Sequence, residues 1–456
     1  MAKRKEPPSS AVSERMEAGR TLRTAIPRSS HVVWKAPPDR RDPILVLEES
    51  NKGRLPELVP IRYGRMVRTP FTFLRGSAAL MASYLAGTPS TGIRVQACGD
   101  CHLLNFGVFA TPERNLIFDL NDFDETLPAP WEWDVKRLAA SIVVAGRDFG
   151  LPDKASRDAV TACVRTYRER LNEFTGMSPL EVWYYRIDEK ALIEMAPDAQ
   201  VAARRRKYAE KARKRIGDYL VPRITERIEG RHRLADSPPL LYHVSDTDFK
   251  VRVREALEGY RQSLPDERRV LFNRYHLEDV AVKVVGIGSV GTRCFVALFM
   301  TEEGHSLLLQ CKEALPSVLE PYAGTSLYKN NGQRVVVGQR LMQSASDIFL
   351  GWNRGAAGRS FFFRQLRDMK FSPPLEGITV SMLERYAGLC GWSLARAHAR
   401  SGDGATIAGY LGGRDTFDLA IADFAVAYAD QNEKDHAALK KAVDSGRIEA
   451  LIEENL

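Results

Sequence analysis

Six carboxylates fall between Gly99 and Glu125, and their types and spacing carry more chemistry than any other part of the chain. Asp100, Glu113, Asp119, Asp122, Asp124 and Glu125 share that span with one basic residue, Arg114, and with His102 and Asn105. Carboxylates joined by an amide oxygen form a hard donor set, which suits magnesium or manganese better than zinc. Several of them lie in or beside apolar runs such as LIFDLNDFDE. A buried unpaired carboxylate is costly, so a bound cation is a direct way to keep such groups ionised. For any single aspartate the plainer account is a loop carboxylate that caps a helix or pairs with Arg137. As a set, with Asn105 five residues after Asp100, they point to a divalent metal working on phosphate.

The spacing sharpens that expectation. Kinase-type phosphotransferases use an Asp that accepts the proton of the substrate hydroxyl, an Asn five residues on that helps hold magnesium, and a second metal-binding Asp after the following strand. Asp100 and Asn105 have this spacing, and Asp122 and Asp119 both qualify as the second metal Asp. Cys98-Gly-Asp-Cys-His-Leu-Leu-Asn resembles the HGDxxxxN loop of the aminoglycoside-phosphotransferase-like kinases, with Cys98 in place of the loop His. Asp134-Val-Lys-Arg-Leu-Ala resembles their D-L-A helix, whose Asp supports the loop. The resemblance implies ATP and Mg2+ as cofactors and Asp100 as the base or orienter of an acceptor hydroxyl.

A phosphate cradle lies far downstream. Residues 286–291 read Gly-Ile-Gly-Ser-Val-Gly, a full GxGxxG between two apolar runs. A strand–turn–strand setting suits a kinase Gly-rich loop rather than a dinucleotide fingerprint, which needs a helix after the glycines. Gly286, Gly288, Ser289 and Gly291 are therefore expected to face nucleotide phosphates, against the plainer account of an ordinary glycine hairpin. Lys312 ends the apolar run Leu307–Lys312, the setting of the kinase lysine that touches the α- and β-phosphates, with Glu320 expected as its ion-pair partner and Glu313 second. Gln339–Gln343 resembles the segment joining two kinase lobes, which places Met342 beside adenine.

The order of these parts is inverted, because Lys312 follows Asp100 by 212 residues rather than preceding it. One site can form only if the fold is permuted or otherwise rewired. The late helix Leu389-Cys-Gly-Trp-Ser-Leu-Ala-Arg-Ala-His-Ala resembles the "L-A-x-x-H-A" helix that precedes the kinase loop, in keeping with a permutation. Over nearly its full length the chain also resembles a bacterial family catalogued as domain of unknown function 2252. The shared phrases are Phe73-Leu-Arg-Gly-Ser, CGDCHLLNFGVF, FDLNDFDETLPAPWEWDVKRLAAS, RQLRDMK at 364–370 and GWSLARAHARSGD. The fold class expected is thus α+β: a protein-kinase-like two-lobed fold, circularly permuted, with a small β-rich lobe and a large helical one.

Elements that would position these residues can be read from periodicity. Residues 1–60, rich in Pro, Arg and Ser, read as an extended N-terminal arm, partly disordered. Residues 61–150 form the catalytic-loop part of the helical lobe: a helix over Phe71–Leu85, a strand at Arg94, a strand pair flanking Thr111–Asn115, and a buried helix from Trp131 to Val144. Residues 151–278 read as a helical segment, wholly helical from 150 to 235, and 279–345 as the β-rich nucleotide-binding lobe, with strands at Val280–Val285, Arg293–Met300, Ser306–Cys311 and Arg334–Val337. Residues 346–456 read as the C-terminal helical part, helical from Met382 onward.

Bulk properties are permissive. The chain has 456 residues, 44% hydrophobic and 27% charged, an ordinary balance for a globular protein with a substantial core. Six scattered cysteines do not form a disulfide framework, and Cys98 and Cys101 are expected to pack beside the loop. The basic start MAKRKEPPSS has no apolar run behind it, and no stretch is apolar enough to span a membrane, so a cytoplasmic location is expected. A net charge of +8 permits an anionic substrate. Eight of the twelve residues from Arg204 to Arg215 are basic, which reads as a solvated helix face; with no nucleic-acid motif beside it, nucleic acid is not an expected partner. The function expected is a magnesium- and ATP-dependent phosphotransferase acting on a small-molecule or protein hydroxyl. The competing readings are nucleotidyl transfer on the same fold, a metal-dependent phosphohydrolase that ignores Lys312, and a catalytically silent ATP-binding protein.

Overall fold

Two nested strand pairings place the acidic segments side by side. In the computed structural model Arg94–Ala97 runs antiparallel to Leu127–Pro130, and inside that pair Phe106–Ala110 runs antiparallel to Leu116–Leu120. The loops at 98–105 and 121–126 therefore leave neighbouring strands at the same end, and Asn121 N donates to Asn105 O at 2.9 Å. The structure describes residues 10–453 except 33, 197, 214–216, 245–246, 367–368, 371–374 and 376.

Helices hold this hairpin system in place. The helix Trp131–Asp148 is buried nearly all round, the pattern of a central core helix. It packs with Asp153–Phe174, Val380–Ser401 and Thr416–Asp444 in the largest hydrophobic cluster, which also takes in Cys98, Cys101 and Phe123 from the two loops. The helices Asp153–Phe174 and Val380–Ser401 approach closely at Gly391, where an added Cβ would stand 2.2 Å from Cys163 O. Entry to Pro70–Gly76 is fixed by Thr69 and Thr72 in a capping box with proline in the first turn. Asn330 caps Asn331–Met342, and Thr379 caps Val380–Ser401.

A second layer is a six-stranded antiparallel sheet in the spatial order Gly351–Arg354, Ser360–Gln365, Ser306–Glu313, Cys294–Met300, His276–Lys283, Leu241–Tyr242. It has apolar clusters on both faces, and Asn331–Met342 packs against its edge strand Gly351–Arg354 and the neighbouring Ser360–Gln365. The architecture is mixed α+β.

Several local expectations are corrected. Arg334–Val337 is not a strand but the middle of the Asn331–Met342 helix. Its β-branched run is overridden by the Asn330 cap and by packing, since a Cβ on Gly338 would meet the Thr126 side chain at 2.4 Å. The sheet extends past 279–345 on both sides, so 346–456 is not wholly helical. Nor is 150–235, which includes the short strands Ile187–Asp188, Thr225–Ile228 and Arg231–Leu234. Among the described residues up to 60 the chain is not an extended arm: Ser10–Ala25 and Pro43–Glu49 are helices, and residues 1–9 lie outside the described residues. Gly19 and Gly409 sit at the close contact of Ser10–Ala25 with Gly404–Leu411. In the helix Ala199–Arg213, Arg204, Arg206, Lys207, Lys211 and Arg213 are exposed, while Lys214 and Arg215 lie outside the described residues. Among the described residues no helix is long and apolar enough to cross a membrane.

Candidate functional site

Both acidic loops face a cleft of about 1590 Å³ whose opposite wall is the Gly-rich turn and the Lys312 strand. Asp100 stands on the first loop. Gly99 before it has φ +82°, and a Cβ there would lie 2.3 Å from Glu125 O, so only glycine lets the two loops meet at this point. The loop is braced from below: Asp134 accepts from Cys98 N at 2.6 Å and Gly99 N at 3.0 Å. Arg137 donates from Nε to Asp100 Oδ1 at 2.7 Å, makes a second bond to the same oxygen, and is anchored on Leu74 O at 3.0 Å. That leaves Asp100 Oδ2 toward the cleft, 3.9 Å from His102 Nε2. Burial pushes the His102 imidazole down to about 4, so it is neutral near pH 7.

Asn105 is oriented by its neighbours. Its Nδ2 donates to Asp100 O at 3.1 Å, Asp122 O at 3.0 Å and Cys98 Sγ at 3.3 Å. Two of these partners are carbonyls, which accept and cannot donate, so the amide nitrogen belongs on that side. Asn105 Oδ1 is then buried with no partner, as are Asp122 Oδ1 and Asp124 Oδ1. Unsatisfied buried oxygens are uncommon and call for an explanation such as a missing ion.

The far-downstream residues reach the same place. Lys312 Nζ lies 2.5 Å from Asp124 Oδ2 and 3.9 Å from Asp122 Oδ1, and Ser289 Oγ donates to Asp124 Oδ2 at 2.7 Å. Enclosure works against the charge of Lys312, but Asp122 and Asp124 outweigh it and keep the ammonium protonated. Enclosure also opposes ionisation of Asp122, yet Lys312, Arg364 and Lys370 hold its carboxyl well below the usual range. Asp124 is pushed the other way, by burial and then by the charge of Asp122.

The glycine turn joins His276–Lys283 to Cys294–Met300, a strand–turn–strand unit with a short 3-10 turn at Ile287–Ser289. A Cβ on Gly288 would lie 3.7 Å from Asp100 Oδ2 and 3.5 Å from Arg75 O, so the turn closes over the catalytic-type loop. Arg54 holds the turn by its carbonyls, donating to Gly288 O at 2.9 Å and Val290 O at 2.5 Å. Gly286, Gly288, Ser289 and Lys312 all line the cleft, and Gly291, with φ +88°, closes the turn behind them.

Other expected site residues lie elsewhere. Asp119 is wholly buried and does not line the cleft. Its carboxylate accepts from Arg396 at 2.7 and 2.8 Å, Ser393 Oγ at 3.0 Å, and Ser344 N and Oγ at 2.9 and 3.0 Å, which leaves no lone pair directed at a metal. Glu320 is not the partner of Lys312; its Oε1 accepts from Ser317 N at 3.3 Å. Glu313 points to the opposite face of the strand and pairs with Arg293 at 3.1 Å and Arg359 at 3.5 Å. Met342 is buried in the core, 3.9 Å from Thr126 Oγ1, and is not part of the cleft wall.

Residues missed from sequence include Arg334, whose guanidinium holds Thr126 O at 2.6 Å, Asp124 O at 2.9 Å and Leu315 O at 2.8 Å. Arg75 and Arg364 also line the cleft, and both fall in phrases shared with the resembling bacterial family, the one signal that marked them. Among the described residues no three His, Cys, Asp or Glu side chains converge as a closed metal cage would. All six cysteines are free. Magnesium does not need such a cage; it commonly takes one or two protein carboxylates and completes its shell with water and substrate phosphates. The unpartnered oxygens of Asn105 and Asp122 fit that donor set.

The chain belongs to a bacterial family: residues 54–442 match the uncharacterized proteins conserved in bacteria grouped as domain of unknown function 2252. No curated protein and no solved structure matches it.

Proposed function

We propose that this member of an uncharacterized bacterial family is a magnesium- and ATP-dependent phosphotransferase with a hydroxyl acceptor, built on a permuted protein-kinase-like fold. One observation carries the reading. Two chain segments about two hundred residues apart, one with the Asp–Asn loop and the other with the glycine turn and lysine, meet across one cleft through Lys312, Ser289 and Asp124. A metal-dependent hydrolase has no need of this convergence. Lys312 is on the third strand counted from the glycine turn's first, the place of the kinase lysine.

Each residue then has a task. Asp100 Oδ2, with its partner oxygen fixed by Arg137, orients the acceptor hydroxyl and takes its proton. The backbone around Gly286–Ser289 lies along the nucleotide phosphates, and Lys312 neutralises them. Asn105 and Asp122 would hold Mg2+, which supplies charge neutralisation on the phosphate oxygens. Such positioning and charge stabilisation account for most of phosphoryl-transfer catalysis. The free cysteines suit a reducing compartment, so we place the reaction in the cytoplasm.

The test is a melting-temperature panel of ATP, ADP and GTP, with and without Mg2+, on the wild type and Asp122→Asn. Ligand at 100-fold over its Kd stabilises by about 2.7 kcal/mol. That is a rise of about 3 °C if the 456 residues melt together. Mg2+-dependent stabilisation by ATP, abolished by Asp122→Asn, is expected. A wild type indifferent to every nucleotide refutes the proposal. Mass analysis of an acceptor, phosphate against adenylate added, separates phosphoryl from nucleotidyl transfer.

A further inference from the structure

The geometry points to Arg75 as the residue that meets the phosphoryl group during transfer, an arginine supplied in cis. The inference rests on the phosphotransferase reading above. In that transfer an acceptor oxygen forms a bond to the terminal phosphorus. The bond from that phosphorus to the bridging oxygen breaks, its electron pair leaving with the nucleoside diphosphate, and the hydroxyl proton passes to Asp100 Oδ2. Negative charge on the phosphoryl oxygens must be met on the Asp100 side of the cleft as well as at Lys312.

The other groups at that point are already committed. Arg137 is bound to Asp100 Oδ1 and Leu74 O. Arg54 spends its guanidinium on the carbonyls of Ser50, Gly288 and Val290. Arg65 pairs with Glu453 at 2.7 Å and donates to Val285 O. His102, on the loop itself, is neutral near pH 7.

Arg75 differs from all of these. It lies in the last turn of the Pro70–Gly76 helix, its half-buried side chain lines the cleft, and its Nε is buried without a hydrogen-bond partner. No carboxylate among the described residues is within ion-pair distance of it, although Asp100 and Asp122 are the acids whose charge it feels most. Its own carbonyl lies at the closest approach of Gly288 to Asp100, the junction of nucleotide wall and acceptor wall. A guanidinium held there without a counterion is matched to an oxyanion that is present only during turnover.

The experiment uses the full chain and needs no acceptor. Affinity for ADP with Mg2+ is measured by calorimetry with and without aluminium fluoride, which mimics the phosphoryl group in flight. The wild type should bind ADP about tenfold or more tightly with the fluoride, as transition-state analogues do. Arg75→Gln should lose that gain and keep its affinity for ADP alone within about twofold. If Arg75→Gln does not fold, Arg75→Lys is judged by the same comparison. A variant that keeps the gain overturns the inference. So does one that loses ADP and ADP–fluoride affinity equally, since that marks a ground-state or structural role, and so does a wild type that binds ADP with Mg2+ but gains nothing from the fluoride. A wild type that does not bind ADP with Mg2+ sinks the phosphotransferase reading itself, a separate result.

Discussion

Lys312→Met is the perturbation that most directly probes how the two distant segments are joined. Lys312 is 3% exposed and is the cation between Asp124, at 2.5 Å, and Asp122, at 3.9 Å. Methionine keeps the stem against Phe362, whose ring centre is 5.5 Å from Nζ, and removes only the charge. Breaking a fully buried pair by deleting one partner costs about 3–5 kcal/mol, but the carboxylates left behind are 26% and 47% exposed, so solvent screens part of the loss and about 1–3 kcal/mol is expected. With about 2.1 cal/mol/K of unfolding entropy per residue, a cooperative 456-residue chain should melt about 1–3 °C lower. The pH dependence carries the diagnosis. Without Lys312 the carboxyl of Asp124, already raised by burial and by Asp122, rises further above its unfolded value. A group with a raised folded pKa contributes stability that is present at low pH and lost as pH climbs through that pKa. The defect of Lys312→Met should therefore be largest near pH 8 and shrink toward pH 5, and Asp124→Asn added to it should restore part of the loss. Denaturant melts across that pH range measure all three. A loss below about 1 kcal/mol, or one equal at both pH values, would refute the idea that this charge cluster clamps the sheet to the loops.

Two further substitutions separate structural from functional charge. Asp119→Asn should cost about 3–5 kcal/mol by stranding Arg396, yet leave the Mg2+–nucleotide response intact; a lost response with unchanged stability would return Asp119 to the metal site. His31, buried beside Tyr410 and pushed down to about 3 by burial and then by Lys136, should make the fold lose stability as pH falls, because the unfolded chain takes up the proton first. Between pH 6.5 and 4.5 the loss should be about 2–3 kcal/mol greater in the wild type than in His31→Gln. Parallel pH profiles in urea melts would contradict it.

What could be read from sequence was local. The Asp100–Asn105 spacing, the glycine turn between strands and the buried Trp131 helix are properties of short windows, and the structure has a loop, a strand–turn–strand and a helix at those places. Partnerships were not legible. Glu320 and Glu313 were near Lys312 in sequence, but strand alternation turns Glu313 to the other face, and Glu320 closes a turn at Ser317. The acids that do reach Lys312 come from a loop 188 residues earlier. Asp119 and Asp122 share one run of carboxylates; only the position of Arg396, far downstream, tells the buried ion pair from the cleft-facing acid. The N-terminal helices were hidden because Pro, Arg and Ser are frequent in the stretch around them, while the helix Ser10–Ala25 finds its partner in a helix nearly four hundred residues away.

The same long-range logic accounts for the departure at Cys98. Inside the loop the Cys98 thiol donates to Asp122 O at 3.2 Å. Bracing comes instead from helices. Asp134 takes the Cys98 and Gly99 amides, and Ser141 takes Leu103 N at 2.9 Å. From the helix Val380–Ser401, Tyr386 donates to Leu103 O and Phe106 O at 3.1 Å, and His398 stands 3.4 Å from Asp134 with Tyr167 at its other nitrogen. His398 is thus coupled to the loop through Asp134, from another part of the chain. The loop is complete only when the helix Val380–Ser401 has docked and the sheet has folded back over it. The contacts that bring Asp124 to Lys312 and Leu103 to Tyr386 span 188 and 283 residues, and contacts of long sequence separation slow folding.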